Sequence, residues 1–185
     1  MKKNMRYALI LLSICAVAAF LLALTNSITA PVIEEMDYQS RLRALEAVSG
    51  GLEIAEQEAV EGEQYVTYRI GLGEDGRNKG WILGLKGAGY GGELTLVASY
   101  ALDGTMQYAQ ILSNSETPGL GKKAEESWYM DKFKNTGGDL PVPTTKAMLS
   151  AGDAQAISGS SVTFTAIAKA IAAGSNYVKS LGGAL

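Results

Sequence analysis

The chain predicts an α+β fold: one apolar N-terminal helix able to span a membrane, then a domain with an antiparallel sheet and flanking helices. Three observations predict it. The basic residues Lys2, Lys3 and Arg6 precede a charge-free run from Tyr7 to Ile33. Four β-type segments lie between residues 64 and 112, punctuated by Asp75-Gly76 and Asp103-Gly104. Near the C-terminus, Ile157-Ser158-Gly159-Ser160-Ser161-Val162-Thr163 runs into a pattern with apolar residues mostly three and four apart.

Composition narrows the chemistry. The 185 residues carry a formal net charge of -3, and no Lys/Arg cluster follows the first few residues, which excludes the basic face that nucleic acid requires. There is no histidine, so a Ser-His-Asp triad and histidine acid–base catalysis are excluded, and a histidine-ligated zinc with them. The single cysteine, Cys15, lies in the apolar run, so the folded part forms no internal disulfide and no four-cysteine iron–sulfur site. Redox chemistry in this chain requires an organic cofactor.

Taken in order, the dense apolar part, residues 8–24, reaches membrane-spanning length once residues 25–32 extend it. A cleaved signal peptide is the rival. Its small-residue site would have to be Ala16-Val17-Ala18, inside the apolar run, or lie close to Pro31, and both are poor positions. The lipoprotein-like Leu12-Ser13-Ile14-Cys15 has bulky Ile14 where a small residue is expected. A retained anchor is the expectation. Basic residues before the span and Glu34, Glu35 and Asp37 after it put the N-terminus in the cytoplasm and the rest outside. The expected units are an anchor over 1–33, a helical stalk over 34–50 that continues the anchor stiffly, and a domain over 51–185. Met36, Leu42, Leu45 and Val48 give the stalk a loose apolar face, and Gly50-Gly51 ends it.

Expected strands cover residues 64–72, 80–85, 93–101 and 106–112. Between the second and third lies Gly87-Ala88-Gly89-Tyr90-Gly91-Gly92, dense enough in glycine for close backbone approach to a neighbour or ligand. No helix opens after it, so it is not a dinucleotide fingerprint. After the last strand comes Glu116-Thr117-Pro118-Gly119-Leu120-Gly121, whose Pro-Gly marks a type II turn. Residues 122–135 read as a short helix with Ala124, Trp128 and Phe133 as core contacts. In the last helix Val162, Ala166, Ile167, Ala170, Ile171, Val178 and Leu181 form the apolar face, and Ser158, Ser160 and Ser161 can cap its first N–H groups. The turn before that helix has two readings. It caps a helix and nothing more, or its free N–H groups and Gly159 hold a phosphate joined to a serine hydroxyl.

With these residues in view, the chain resembles the G subunit of the Rnf electron-transport complex and, more distantly, the C subunit of the sodium-pumping NADH:quinone oxidoreductase. Three features carry the resemblance: the anchor and stalk, the order of Gly89-Tyr90-Gly91-Gly92 and an ETPGLG loop at 116–121, and Ser158-Gly159-Ser160-Ser161 where the family has Ser/Thr-Gly-Ala-Thr. The resemblance implies an FMN-binding domain. It implies FMN joined by its phosphate to the hydroxyl of Ser161, with Ser158, Gly159, Ser160, Glu116, Thr117, Gly119, Leu120, Gly121, Tyr90 and Gly91 around the cofactor. It further implies maturation by a separate flavin transferase, a place in the lipid bilayer beside other subunits of an ion-translocating ferredoxin:NAD oxidoreductase, and electron relay with no catalytic or metal-ligating residue of its own. The sequence departs from the family turn at Ser160 and Ser161, and at Gln155, where the family has an aspartate; Asp153 is out of register by two. Two other readings stand beside this one: a flavin-free structural subunit, which Gln155 favours, and a stand-alone extracellular flavin reductase.

Overall fold

A computed structural model of the chain describes residues 2–182. They form two compact units that divide between Arg41 and Leu42.

The first unit is helical. Helix α1 (Lys2–Ser49) begins in it and is long and apolar enough to cross a membrane. Leu11, Phe20 and Leu22 are among its many exposed apolar side chains. Its hydroxyls are satisfied from within: Ser13 and Thr25 donate to the carbonyls of Leu9 and Leu21 at 2.9 Å, and Thr29 donates to that of Thr25 at 3.1 Å. Such back-bonding removes most of the penalty for placing a hydroxyl in hydrocarbon. Pro31 lies inside the helix, where it lacks the N–H that would reach back one turn. The helix nevertheless continues past it.

The second unit starts with the last turns of α1. Ala44, Leu45 and Val48 are buried and cluster with Ile70, Leu72, Ile82 and Val97 on one face of a sheet, whereas Met36 and Leu42 stay exposed. The sheet is a five-stranded antiparallel meander of β1 (Glu53–Ala59), β2 (Val66–Glu74), β3 (Arg77–Ala88), β4 (Glu93–Ala101) and β5 (Met106–Ser113), in spatial order β1-β2-β3-β4-β5. Asp75 and Gly76 join β2 to β3 with φ of 51° and 73°, the pair of left-handed residues that a two-residue hairpin needs. Strand β1 is not among the expected strands; all seven of its residues are exposed, so it has no apolar face to announce it. Strand β2 does not alternate cleanly either. The register shifts between Val66 and Tyr68, so Val66 packs into the opposite core from Ile70.

The other face of the sheet is covered by α4 (Ser161–Gly182). Phe164, Ile167, Ala168 and Ile171 meet Leu83, Leu85, Leu94, Leu96 and Tyr100 in the main core. The Tyr100 hydroxyl donates to the Ile171 carbonyl at 3.0 Å, which satisfies a phenol buried in apolar surroundings.

The single helix expected over 122–135 is not formed. A 3₁₀ turn (Gly121–Glu125), the short α2 (Ser127–Met130) and a second 3₁₀ turn (Asp131–Phe133) replace it, broken at Glu126, which is extended at φ -84°, ψ 138°. The reason is core geometry. Ala124 and Tyr129 are both buried, yet residues five apart on one α-helix would point about 140° apart. Breaking the helix lets both face inward, while Trp128 is only half-buried. A further helix, α3 (Ala151–Ala156), precedes the serine turn. Its cap is Ser150, whose hydroxyl accepts from the Asp153 N–H at 3.1 Å and donates to the Asp153 carboxylate at 2.7 Å.

Candidate functional site

Two loops and the start of α4 come together around one buried carboxylate. Glu116 is 4% exposed. Its Oε1 accepts from the Gly91 N–H at 3.1 Å, and its Oε2 accepts from the Thr163 hydroxyl at 2.8 Å. Its own N–H donates to Asn114 Oδ1 at 3.0 Å. One side chain thus ties the glycine loop between β3 and β4, the loop after β5 and the first turn of α4. The glycines make this possible. A Cβ at Gly89 or Gly121 would overlap the Glu116 carboxylate, and one at Gly91 would overlap the Ser115 carbonyl. Gly89 also closes its loop by donating to the Gly92 carbonyl at 2.8 Å.

The loop after β5 turns where the Pro-Gly pair predicts. The Leu120 N–H donates to the Thr117 carbonyl at 3.2 Å, and Gly119 takes the positive φ, 75°, of a type II turn. Leu120 then lies against the serine turn, where Gly159 sits at φ 86° and a side chain would meet the end of Leu120. The serines do not cap α4 as expected. Ser160 is buried, and its hydroxyl donates to the Ile157 carbonyl at 2.9 Å rather than accepting from a helix N–H. It also lies 3.4 Å from the Tyr129 hydroxyl. Burial pushes the Tyr129 phenol up to about 12, with the Ser160 contact opposing and the nearby Glu116 charge adding, so Tyr129 stays protonated at neutral pH. Ser161 is exposed, and its hydroxyl enters no hydrogen bond among the described residues.

A cavity of about 500 Å³ opens over these groups. Of the residues expected at the site, Tyr90, Glu116, Thr117, Leu120, Gly121, Gly159, Ser160 and Ser161 line it. Gly91, Gly119 and Ser158 do not: Gly91 serves Glu116 through its N–H, Gly119 makes the turn, and Ser158 is exposed outside the lining. Thr163 and Val162 also line the cavity. The apolar pattern places Val162 on the core face of α4. It is 53% exposed instead, although Thr163 and Phe164 beside it are buried. A second, more open groove of about 700 Å³ runs along the other side of the same turn, past Tyr65, Lys86, Thr165 and Lys169, and Ser161 and Val162 form a wall of both.

The first cavity fits a flavin mononucleotide. Its volume lies within the usual range for small-molecule sites. It offers apolar and aromatic surface from Leu120, Val162 and Tyr90, a free hydroxyl at Ser161, and the unsatisfied N–H groups of a 22-residue helix for a phosphate.

Comparison with known proteins agrees. The family described as the FMN-binding domain matches residues 89–176, and the RnfG N-terminal region matches residues 1–48. The G subunit of the Na(+)-translocating ferredoxin:NAD(+) oxidoreductase complex of Acetobacterium woodii is 33% identical, over 90% of this chain and 87% of that protein. The chain belongs to the RnfG family. The G subunit of the ion-translocating oxidoreductase complex of Methanosarcina acetivorans is 29% identical, over 92% of each chain. The solved structure of NqrC from Shewanella oneidensis overlays at a TM-score of 0.48 with 17% identity, over 61% of each chain, a likeness too loose to bear on function.

Within this RnfG chain, the FMN-binding segment contains every residue expected at the site. The second groove lies partly outside it, because Gln64, Tyr65, Lys86, Gly87 and Ala88 precede residue 89. The departure at Gln155 also has a structural setting. Gln155 is exposed on α3, while Asp153 is engaged by Ser150 and by an ion pair to Lys132 at 2.5 Å. Asp153 is therefore engaged in local structure.

Proposed function

We propose that this chain is a membrane-anchored flavoprotein subunit that relays electrons in an ion-translocating oxidoreductase complex, through FMN bound covalently by its phosphate to Ser161. The observation that carries the reading is the pairing of a free, exposed Ser161 hydroxyl with a flavin-sized cavity on the same turn. Membership of the RnfG family and an FMN-binding domain support it.

FMN, when bound, supplies reversible one- and two-electron chemistry. The chain's own residues bind and orient. Ser161 provides the oxygen for the phosphoester. A separate transferase would break the phosphoanhydride bond of a flavin dinucleotide, join the flavin phosphate to that oxygen, and release the nucleoside monophosphate with the serine proton. The first N–H groups of α4 would hold the phosphate; at an exposed terminus they contribute about 1 kcal/mol or less, too little to retain a cofactor without a bond. Glu116 holds the two loops against α4 and is spent on Gly91 and Thr163, so it is a positioning group rather than a proton carrier. Leu120, Val162 and Tyr90 give the cavity its apolar surface.

In this reading the charge-free part of α1, residues 7–33, crosses the lipid bilayer with the N-terminus cytoplasmic, and the FMN-binding domain is on the outer face, because basic residues precede the span and Glu34, Glu35 and Asp37 follow it. The partners are the other membrane subunits of the complex. Gln155 favours a second reading, a flavin-free structural subunit, since the family has an aspartate at that position. Peptide mass spectrometry of protein from its own host separates the two. The proposal expects one FMN on the peptide containing Ser161, absent in Ser161→Ala protein that still folds. Unmodified native protein made beside an active transferase leaves the structural reading or loosely bound FMN.

A further inference from the structure

We propose that the groove walled by Lys86 and Lys169 is the docking surface for a carboxylate-bearing segment of the redox partner, a neighbouring subunit of the membrane complex. This rests on the electron-relay reading above.

Three observations lead to it. The groove, about 700 Å³, is a separate space from the flavin cavity, yet the two share Ser161 and Val162 as a wall. Whatever fills it sits beside the flavin attachment point without displacing the flavin. Its charge also stands out in this chain. The formal net charge is -3, and residues 53–63 carry five glutamates and no Lys or Arg, but this groove presents two lysines against the one carboxylate of Glu93. Neither lysine is in an ion pair among the described residues. Finally, the rim is apolar where the two spaces meet. Val162 is 53% exposed, and Tyr90, on the flavin side, is 79% exposed.

An exposed aromatic and a branched aliphatic side chain beside unpaired cations make a typical protein-recognition surface, with apolar anchors inside a charged rim. Opposite charge on a partner raises the encounter rate and fixes orientation, which suits a contact that must form and break with each electron. The carboxylates belong to the partner, since Glu93 alone among the residues lining the groove is acidic.

A zero-length carbodiimide cross-link in native membranes tests this, because it joins an amine to a carboxylate only at contact distance. The pair Lys79 and Glu74, 3.6 Å apart and both exposed, is the internal control. The expected result is a peptide from another subunit joined through Asp or Glu to Lys86 or Lys169. It should be lost in the K86Q/K169Q double variant, whose flavin content stays that of the wild type. Three results would overturn the proposal: control cross-links with Lys86 and Lys169 unlinked, links from these lysines only to acidic residues of this chain, or loss of flavin in the double variant, which would make the groove part of the cofactor site. Wild-type membranes without covalent flavin would instead sink the flavoprotein reading, whatever the cross-links show.

Discussion

The Thr163 hydroxyl donates to Glu116 Oε2 at 2.8 Å across forty-seven residues of sequence, and this bond fastens the start of α4 to the loop after β5. Both groups are buried. A hydrogen bond to a charged group is worth about 1.5–3 kcal/mol, and a buried carboxylate left short of a donor carries its desolvation penalty as well. Thr163→Val should therefore destabilise the folded chain by about 1.5–3 kcal/mol, and Thr163→Ser should restore most of it. Thermal or denaturant unfolding of the detergent-solubilised chain measures this. A Val variant as stable as the wild type would mean that Glu116 does not depend on this donor.

The glycine loop gives a second expectation. A Cβ at Gly91 would overlap the Ser115 carbonyl, which is backbone and cannot swing aside. Gly91→Ala should cost about 1–3 kcal/mol, as overpacking does, and should loosen the Gly91 N–H from Glu116. Amide hydrogen exchange at residues 89–92 should rise in this variant; unchanged protection would show that the loop absorbs the methyl group.

At Gly159 the argument is conformational. Its φ of 86° places it where any L side chain is strained, by about 1–2 kcal/mol. The neighbour that a Cβ meets, the end of Leu120, is flexible and can move. Gly159→Ala should thus fold with a modest loss of stability but carry less flavin at Ser161, because the turn that presents the hydroxyl shifts. Full flavin occupancy in the Ala variant would remove Gly159 from the site.

Acid sensitivity follows from Asp153. The hydrogen bond from Lys132, then that from Ser150, holds its carboxyl below the usual carboxylate range. A depressed folded-state value means stabilisation that is complete above the unfolded value of 3.8 and lost as pH falls through the lower folded value. Asp153→Asn should flatten the decline of stability below about pH 4 and lower stability at pH 7. Parallel pH profiles for wild type and variant would show that the pair does not contribute.

Much of this architecture was legible because local chemistry decided it. Asp75-Gly76 and Asp103-Gly104 marked their hairpins, and Pro118-Gly119 its turn, through requirements of backbone conformation that few residues meet. The elements that escaped carry weak local signals or depend on distant packing. Strand β1 has no buried residue. The break at Glu126 exists because Ala124 and Tyr129 must both reach a core that the sequence does not display. Helix α3 is not among the expected elements; at six residues it is too short to show an apolar period. In the candidate site, the motif residues were visible as motifs. The bond between Glu116 and Thr163 was not, and neither was the Lys86 and Lys169 groove, because residues so far apart in sequence meet only in the fold.

The most direct test of the central claim is peptide mass spectrometry of the subunit isolated from its own membranes. The proposed linkage predicts a peptide containing Ser161 that is heavier by one FMN less one water, with the fragment series placing the added mass on Ser161. Native peptide of unmodified mass from cells with an active flavin transferase, or an adduct placed on Ser158, Ser160 or Thr163, would contradict it.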